Sequence, residues 1–364
     1  MARRVRGAAA EIALSALVAV AAVVVGLLVV LIAGESPADA ARSFFTGAFG
    51  ANSIGATVRD MVPLTLVALA WIVVFKGGRF HVGFQGQILI GGLFSVFVAL
   101  KMAGWPTIVH LPLAVVAGVA GGALWASIAA FLWARRGVNE IVSTLLLNLV
   151  AIQVISWVVR GPLQEPTRTL PQTEPLPDSA LWPLFPGETI LKWDVVLIPL
   201  AIAVVAFALS RTTLGFHLRL VGVNPTVARH AGVSPVRVGS WAIVASGALA
   251  GLAGSSQALG VSVGGMTDNF DSGFGFQGIA VALLARNSPV AVLPAALLFA
   301  ALRQGGGVAQ AELGISSAIV DIMQGVVIVS VIAAAAWLAM RRDAGTGSDP
   351  LARAATPLPV GGTR

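Results

Sequence analysis

The stretch Leu214–Arg237, LGFHLRLVGVNPTVARHAGVSPVR, lies between two apolar runs of membrane-crossing length. It carries Arg219, Arg229, Arg237 and His230. Within it, Asn224 can cap a helix, Pro225 at the first helical position sacrifices no hydrogen bond, and Gly232 can close the far end. We read a short helix, Asn224–Gly232, held between two membrane spans as a handle that a soluble motor can push. Charge alone is equally compatible with an ordinary cytoplasmic loop kept inside by its arginines.

Working outward, the whole chain has the character of those flanking runs. Of 364 residues, 57% are apolar and 11% charged, with a mean hydropathy of +0.89. Soluble domains carry about a quarter charged residues, so the composition is that of an all-α, polytopic membrane protein. There is no cysteine, which excludes disulfides, thiolate metal sites and thiol nucleophiles. The net charge of +7 is to be divided between the two sides of a membrane rather than assigned to a nucleic-acid partner.

The N-terminus holds Arg3, Arg4 and Arg6 before an apolar run from Ile12 to Ala33. This resembles a signal peptide, with Ala38-Asp39-Ala40 as a cleavage site, but its length is that of a span, and we read an uncleaved first segment. The following stretch, Gly34–Ser53, reads as an external loop. Further segments are expected at Ile54–Phe75, His81–Leu100, Ile108–Trp133, Ile141–Val159, Asp194–Ser210, Val238–Ala258, Phe276–Ala285, Val290–Arg303 and Ile315–Met340. That gives about ten membrane segments with both termini cytoplasmic. Phe276–Ala285 and Val290–Arg303 are too short to span as straight helices, so they are broken or continue into the neighbouring Gly-rich stretches. The charges support this topology: 16 of the 23 Lys and Arg fall on the predicted inner side, and 7, Arg303 among them, on or near the outer side. The Pro-rich loop Arg160–Lys192, with Trp182 and Trp193 near its end, reads as an external interfacial cap. Residues 1–342 form the transmembrane domain, and 343–364 are expected to be a disordered cytoplasmic tail.

A four-residue echo stands out. Gly83-Phe84-Gln85-Gly86 recurs as Gly275-Phe276-Gln277-Gly278, entering from the cytoplasm in the first copy and from outside in the second. Opposite entry of like segments is what an inverted-topology repeat produces, and transporters place their pathway between such halves. Chance also yields four-residue matches in a Gly-rich chain.

Four stretches together resemble the permease subunits of ABC importers, in the class that carries branched-chain amino acids, simple sugars and nucleosides. The handle supplies Arg219-Leu220-Val221-Gly222-Val223-Asn224-Pro225 and Ala228-Arg229-His230-Ala231-Gly232-Val233. The second stretch is Phe80-His81-Val82-Gly83-Phe84-Gln85-Gly86-Gln87, which departs from the family pattern with His81 for an asparagine and Gln85 for a glutamate. The third, Gly137-Val138-Asn139-Glu140-Ile141-Val142-Ser143-Thr144-Leu145-Leu146-Leu147-Asn148, is similar to the nucleoside type. The fourth, Gly273-Phe274-Gly275-Phe276-Gln277-Gly278 through Ala285-Arg286-Asn287-Ser288-Pro289, is also of that type, with Gln277 where an aspartate is common. The matched region runs from about Arg79 to Arg342. The resemblance implies that Gly222, Asn224, Ala228, Arg229 and Gly232 serve coupling to a cytoplasmic ATPase. It further implies a second permease subunit, homologous or identical, an external solute-binding lipoprotein, and ATP and Mg on the ATPase, with no cofactor in this chain.

The candidate pathway residues are Gln85, Gln87, Asn148, Gln153, Gln277 and Asp321. Buried amides either glue helices, at roughly 1 kcal/mol per bond, or meet a polar solute. Asn139 and Glu140 suit a helix start, which accounts for both without a further role. His81 and Trp157 read as structural and interfacial residues, and Asp268 and Asp271 as solvated loop acids. Asp321, inside the last span, is an ionisable residue in an apolar segment and therefore marks a functional position. Enzyme chemistry has no footing: no phosphate-cradling Gly-x-x-x-x-Gly-Lys loop occurs, and His81, His110, His217 and His230 lack metal-ligand spacing. The expected activity is nucleoside import by alternating access. A simple-sugar permease or an ion-coupled carrier is the alternative.

Overall fold

A computed structural model describes residues 36–187, 190–261, 265–268, 270 and 273–314, with 322, 325, 326 and 329. The first apolar run, Asp271, the segment around Asp321 and the C-terminal tail lie outside the described residues. What is described is all-helical apart from isolated β-bridges in loops.

Seven stretches among the described residues are long and apolar enough to cross a membrane. They are α2 (Ile54–Lys76), α3 (Phe84–Lys101), α4 (Thr107–Arg136), α5 (Glu140–Val159), Trp193–Arg211, whose helix α6 begins at Leu197, α9 (Pro235–Gly260) and α11 (Val292–Leu313). Between them lie α1 (Pro37–Phe49), the paired short helices α7 (Thr213–Val223) and α8 (Pro225–His230), and α10 (Phe274–Leu284).

One expectation is corrected by these elements and another is decided. The stretch Gly34–Ser53 is not simply a loop: Ser36 caps α1, with Pro37 at its first position, so Ala38-Asp39-Ala40 is wound into helix. For Val290–Arg303, expected to be broken or to continue into its Gly-rich neighbour, the second alternative holds: α11 runs on through Gly305–Gly307 to Leu313 and reaches spanning length. Neighbouring α10 does stay short, at 11 residues.

The centre of the bundle is α2. From Leu64 to Ile72 every apolar side chain is fully inaccessible, including Trp71, so this stretch is enclosed by the other helices on all sides. By contrast, α5 exposes Leu146 and Leu149 at 57% and 61%, which suits a face turned to lipid rather than to water. Helices α3, α4 and α9 pack backbone to backbone. A Cβ on Gly251 of α9 would stand 2.3 Å from the Gly118 carbonyl oxygen of α4, so only glycine permits this approach. Ser95 of α3 donates to Ser255 of α9 at 2.8 Å across the same seam.

The contacts also order the two faces of the bundle. Lys76–Gly78, at the end of α2, touches Gly222 of α7, so α7 and α8 sit at that end. The long loop after α5 sits at the other, where Trp182 donates its backbone N–H to Leu259 near the end of α9. That loop is held by Glu165, whose carboxylate accepts from Thr167, Thr169, Gln172 and the Leu170 backbone. These bonds hold its pKa well below the ordinary 4.5, at about 2.

Candidate functional site

The handle is built from its caps. Asn224 Oδ1 accepts from the backbone N–H groups of Thr226 and Val227 at 2.9 and 3.1 Å, Pro225 takes the first helical position, and Gly232 turns out of the helix at φ +78°. Asn224 also closes α7, by donating its backbone N–H to the Leu220 carbonyl. The segment is thus two helices hinged on one asparagine, where the sequence led us to expect one. Of the five coupling candidates, Ala228 is fully buried and faces the bundle, whereas Asn224, Arg229 and Gly232 are exposed. Sequence reasoning missed Val223 and Val227, which stand 86% and 50% exposed at the tip and add an apolar surface between the charges.

Gly222 ties this handle to the core. A Cβ there would lie 2.3 Å from the Lys76 carbonyl oxygen at the end of α2. No side chain separates the two backbones at this contact.

Near its middle α2 meets the second Gly-Phe-Gln-Gly copy. A Cβ on Gly278 would touch Val67 at 2.4 Å, and one on Gly275 would touch the Gln85 backbone N at 2.5 Å. The two copies of the echo therefore pack against each other, Gly275 of one on Gln85 of the other. Gln85 Oε1 and the fully buried Gln87 Oε1 have no hydrogen-bond partner among the described residues. Asn148 is buried beside them with both polar atoms used: its Oδ1 accepts from Gly86 N–H at 2.9 Å, and its Nδ2 donates to the Val82 carbonyl at 2.8 Å. It staples the start of α3. His81 is likewise structural: Gly83 N–H donates to Nδ1 at 3.2 Å, which leaves Nε2–H facing Ser246 Oγ at 2.9 Å. Gln153 is not brought into this group. It lies exposed on α5 with Leu149 and Trp157. Asp321 lies outside the described residues.

A charged cluster that the sequence reading did not single out adjoins Gln277. Asp60 of α2 is 4% exposed; Arg303 of α11 approaches its Oδ2 with Nε at 3.2 Å, and Gln304 donates to the same oxygen at 2.7 Å. The Arg303 guanidinium lies 4.3 Å over the Phe274 ring and reaches toward Gln277 Oε1 at 3.5 Å, and Arg59 stands 3.8 Å from the other Asp60 oxygen. A signal existed: Asp60 lies inside an apolar run, the same rule that drew attention to Asp321. Nearer the handle, Arg79 pairs with Glu140 at 3.5 Å and covers Trp133, while Asn139 caps α5 as expected. No group of three metal-ligating side chains occurs among the described residues.

Seven spans, lipid-directed apolar faces and polar groups gathered inside the bundle define a multi-pass membrane protein. The family described as "Branched-chain amino acid transport system / permease component" matches residues 53–332, and the chain belongs to it. Its relatives include the "Glucose ABC transporter permease protein TsgB13" of Haloferax volcanii, 37% identical over 87% of this chain and 86% of the relative. The "Guanosine ABC transporter permease protein NupP" of Bacillus subtilis is 33% identical over 84% and 88%, respectively. The "Nucleoside ABC transporter permease protein NupB" of Lactococcus lactis is 32% identical over 77% and 79%. The nucleoside and sugar type signalled by the motifs is the type of these relatives.

Proposed function

We propose that the protein is the membrane-spanning subunit of an ATP-driven importer of nucleosides in the inner membrane of a prokaryote. It works with a second permease subunit, cytoplasmic ATPases that hold ATP and Mg, and an external solute-binding lipoprotein. The chain crosses the membrane about ten times as an inverted repeat with both termini cytoplasmic, and α8 is its coupling helix. Solute passes Gln85, Gln87 and Gln277, with Asn148 holding the start of α3 in place and Asp321 further along the last span.

The observation that carries this is mechanical continuity. Gly222 presses the handle on the end of α2, and the same helix carries Val67 against Gly278 and Asp60 against Arg303. A push on Val223, Val227 and Arg229 therefore reaches the packed glutamine copies through one helix, whose middle, Leu64–Ile72, is buried. For the cargo, the support is twofold: relatives named for guanosine and nucleosides align over most of both chains. Amides also pair with base edges and sugar hydroxyls without the desolvation cost of charged partners.

Uptake of radiolabelled guanosine, uridine, glucose, ribose and leucine in cells with and without the gene tests this reading, with ATP depletion and a proton uncoupler applied separately. Loss of nucleoside uptake that follows ATP supply is expected. Loss of glucose or ribose uptake instead keeps the machine and changes the cargo. Uptake that follows the proton gradient while ATP is depleted overturns the ABC mechanism.

A further inference from the structure

Between the handle and the first half of α9 lies a groove of about 570 Å³, within the size range of small-molecule sites. Val73 of α2 and Leu218 of α7 line it, and α9 forms its long wall from Arg237 to Ala245. Its polar groups are Ser234 and Arg237 at the very start of α9, with His217 contributed by α7. Farther along α9 the wall is apolar and open: Trp241 is 71% exposed and Ala245 is exposed. Ala245 is the eleventh residue of α9, about 15 Å along its axis. A helix of 26 residues is about 39 Å long and overshoots a hydrocarbon core of about 30 Å by only about 4–5 Å at each end. The wall at Ala245 therefore stands at acyl-chain depth, and Trp241 lies nearer the interface, where tryptophan is favoured. The charge is one-sided. From Val195 to Thr267 the chain has no Asp or Glu, whereas Arg211, Arg219, Arg229 and Arg237 all fall in this stretch. None of these four arginines forms an ion pair among the described residues.

We propose that this groove binds an anionic phospholipid of the leaflet on the handle's side, with its phosphate at Arg237 and His217 and an acyl chain along Trp241 and Ala245. Basic pockets between membrane helices take such headgroups, because the phosphate supplies the counter-ion that the chain itself lacks. A guanidinium matches phosphate oxygens with paired donors, and the apolar wall below it matches the tail. A free phosphate or a water-soluble protein would satisfy the arginine but leave the wall at acyl-chain depth uncovered. The groove joins α2, α7, the turn after α8 and α9, so a lipid seated there braces the handle against the bundle. The proposal requires only that the chain spans the membrane, and holds whichever solute the pathway carries.

The test is quenching of tryptophan fluorescence by brominated lipids in phosphatidylcholine proteoliposomes holding the full-length permease, before and after its ATPase is added. The chain has nine tryptophans, so the signal of Trp241 is taken as the part lost in Trp241→Phe. Brominated phosphatidylglycerol is expected to quench that part at amounts roughly fivefold lower than brominated phosphatidylcholine, the effect of one arginine beside an anionic headgroup. Arg237→Gln is expected to remove most of this preference and Arg237→Lys to keep it. Arg237 and Trp241 are both exposed, so these substitutions leave the packed core untouched. Equal quenching by the two lipids, or a preference that survives Arg237→Gln, makes the groove a stretch of ordinary lipid contact and overturns the inference. Quenching by neither lipid, or quenching abolished by the ATPase, assigns the groove to a protein and overturns it as well. A preference erased by inorganic phosphate, and not by chloride at matched ionic strength, assigns it to a soluble anion instead.

Discussion

The handle and the charged centre are made in opposite ways. Everything that shapes α8 lies within nine residues: the cap on Asn224, the proline beside it and the left-handed glycine that ends it. The centre is assembled from Asp60, Phe274, Gln277, Arg303 and Gln304, drawn from three helices and more than 240 positions of chain. The one can be reshaped at modest cost and left seated. In the other, each polar group is satisfied only because a distant helix delivers its partner, so failure there is global. A segment shaped by its sequence neighbours and a cluster assembled from distant helices differ in this respect.

The largest expected effect breaks the centre. Asp60→Leu leaves Arg303 and Gln304 without their shared acceptor, and removing one partner of a buried pair costs about 3–5 kcal/mol. The unfolding temperature in detergent, followed by size-exclusion fluorescence, should fall sharply. Asp60→Leu combined with Arg303→Leu should recover part of it, because the charge that faced the same Asp60 oxygen as Gln304 is removed with it. Next comes the joint between the two regions. Gly222→Val drives a side chain into the Lys76 carbonyl, an overpacking of about 1–3 kcal/mol that shifts α7 rather than unfolding the bundle. Membrane abundance should stay near wild type while nucleoside uptake falls at least tenfold.

A smaller effect is expected within the handle. Asn224→Ala removes the cap of α8, worth about 1 kcal/mol, and should reduce transport a few-fold with no change in detergent stability. The smallest belongs to the loop on the opposite face. Glu165 is held at about 2 in the folded chain against an ordinary 4.5, so its contribution is fully present above 4.5 and is lost as pH falls through about 2. Protease resistance of the loop between α5 and the Trp193–Arg211 span should follow that course, and Glu165→Gln should remove the dependence.

This contrast also explains what could be read from the chain alone. Spans, the handle and the Asn139 cap depend on local composition and capping, so they were legible. The extent of α11 was legible only as a choice between a break and continuation into the glycines, because sequence cannot show that Gly305 is a packing surface: a Cβ there would lie 2.6 Å from the Phe44 carbonyl oxygen of α1. Helix α1 itself was obscured by a polar, short sequence that reads as loop. Arg303 was counted among outer charges because its segment had been ended at it. Asn148 was rightly singled out as an amide needing a partner, but sequence could not say that the partner is the backbone of Val82 and Gly86. Asp60 was visible in principle, since an acid seven residues into an apolar span always requires an explanation.

The most direct test of the central claim, that the packed glutamine copies line a path opened and closed from the handle, uses the absence of cysteine from the chain. Gln277→Cys introduces a single thiol, to be labelled from outside by a membrane-impermeant maleimide in the assembled importer. The rate is compared with and without guanosine, and with the ATPase running or arrested by vanadate. The account predicts labelling that guanosine slows and that arrest of the ATPase changes several-fold. A thiol that labels at one rate under all these conditions, or in none of them, would contradict it.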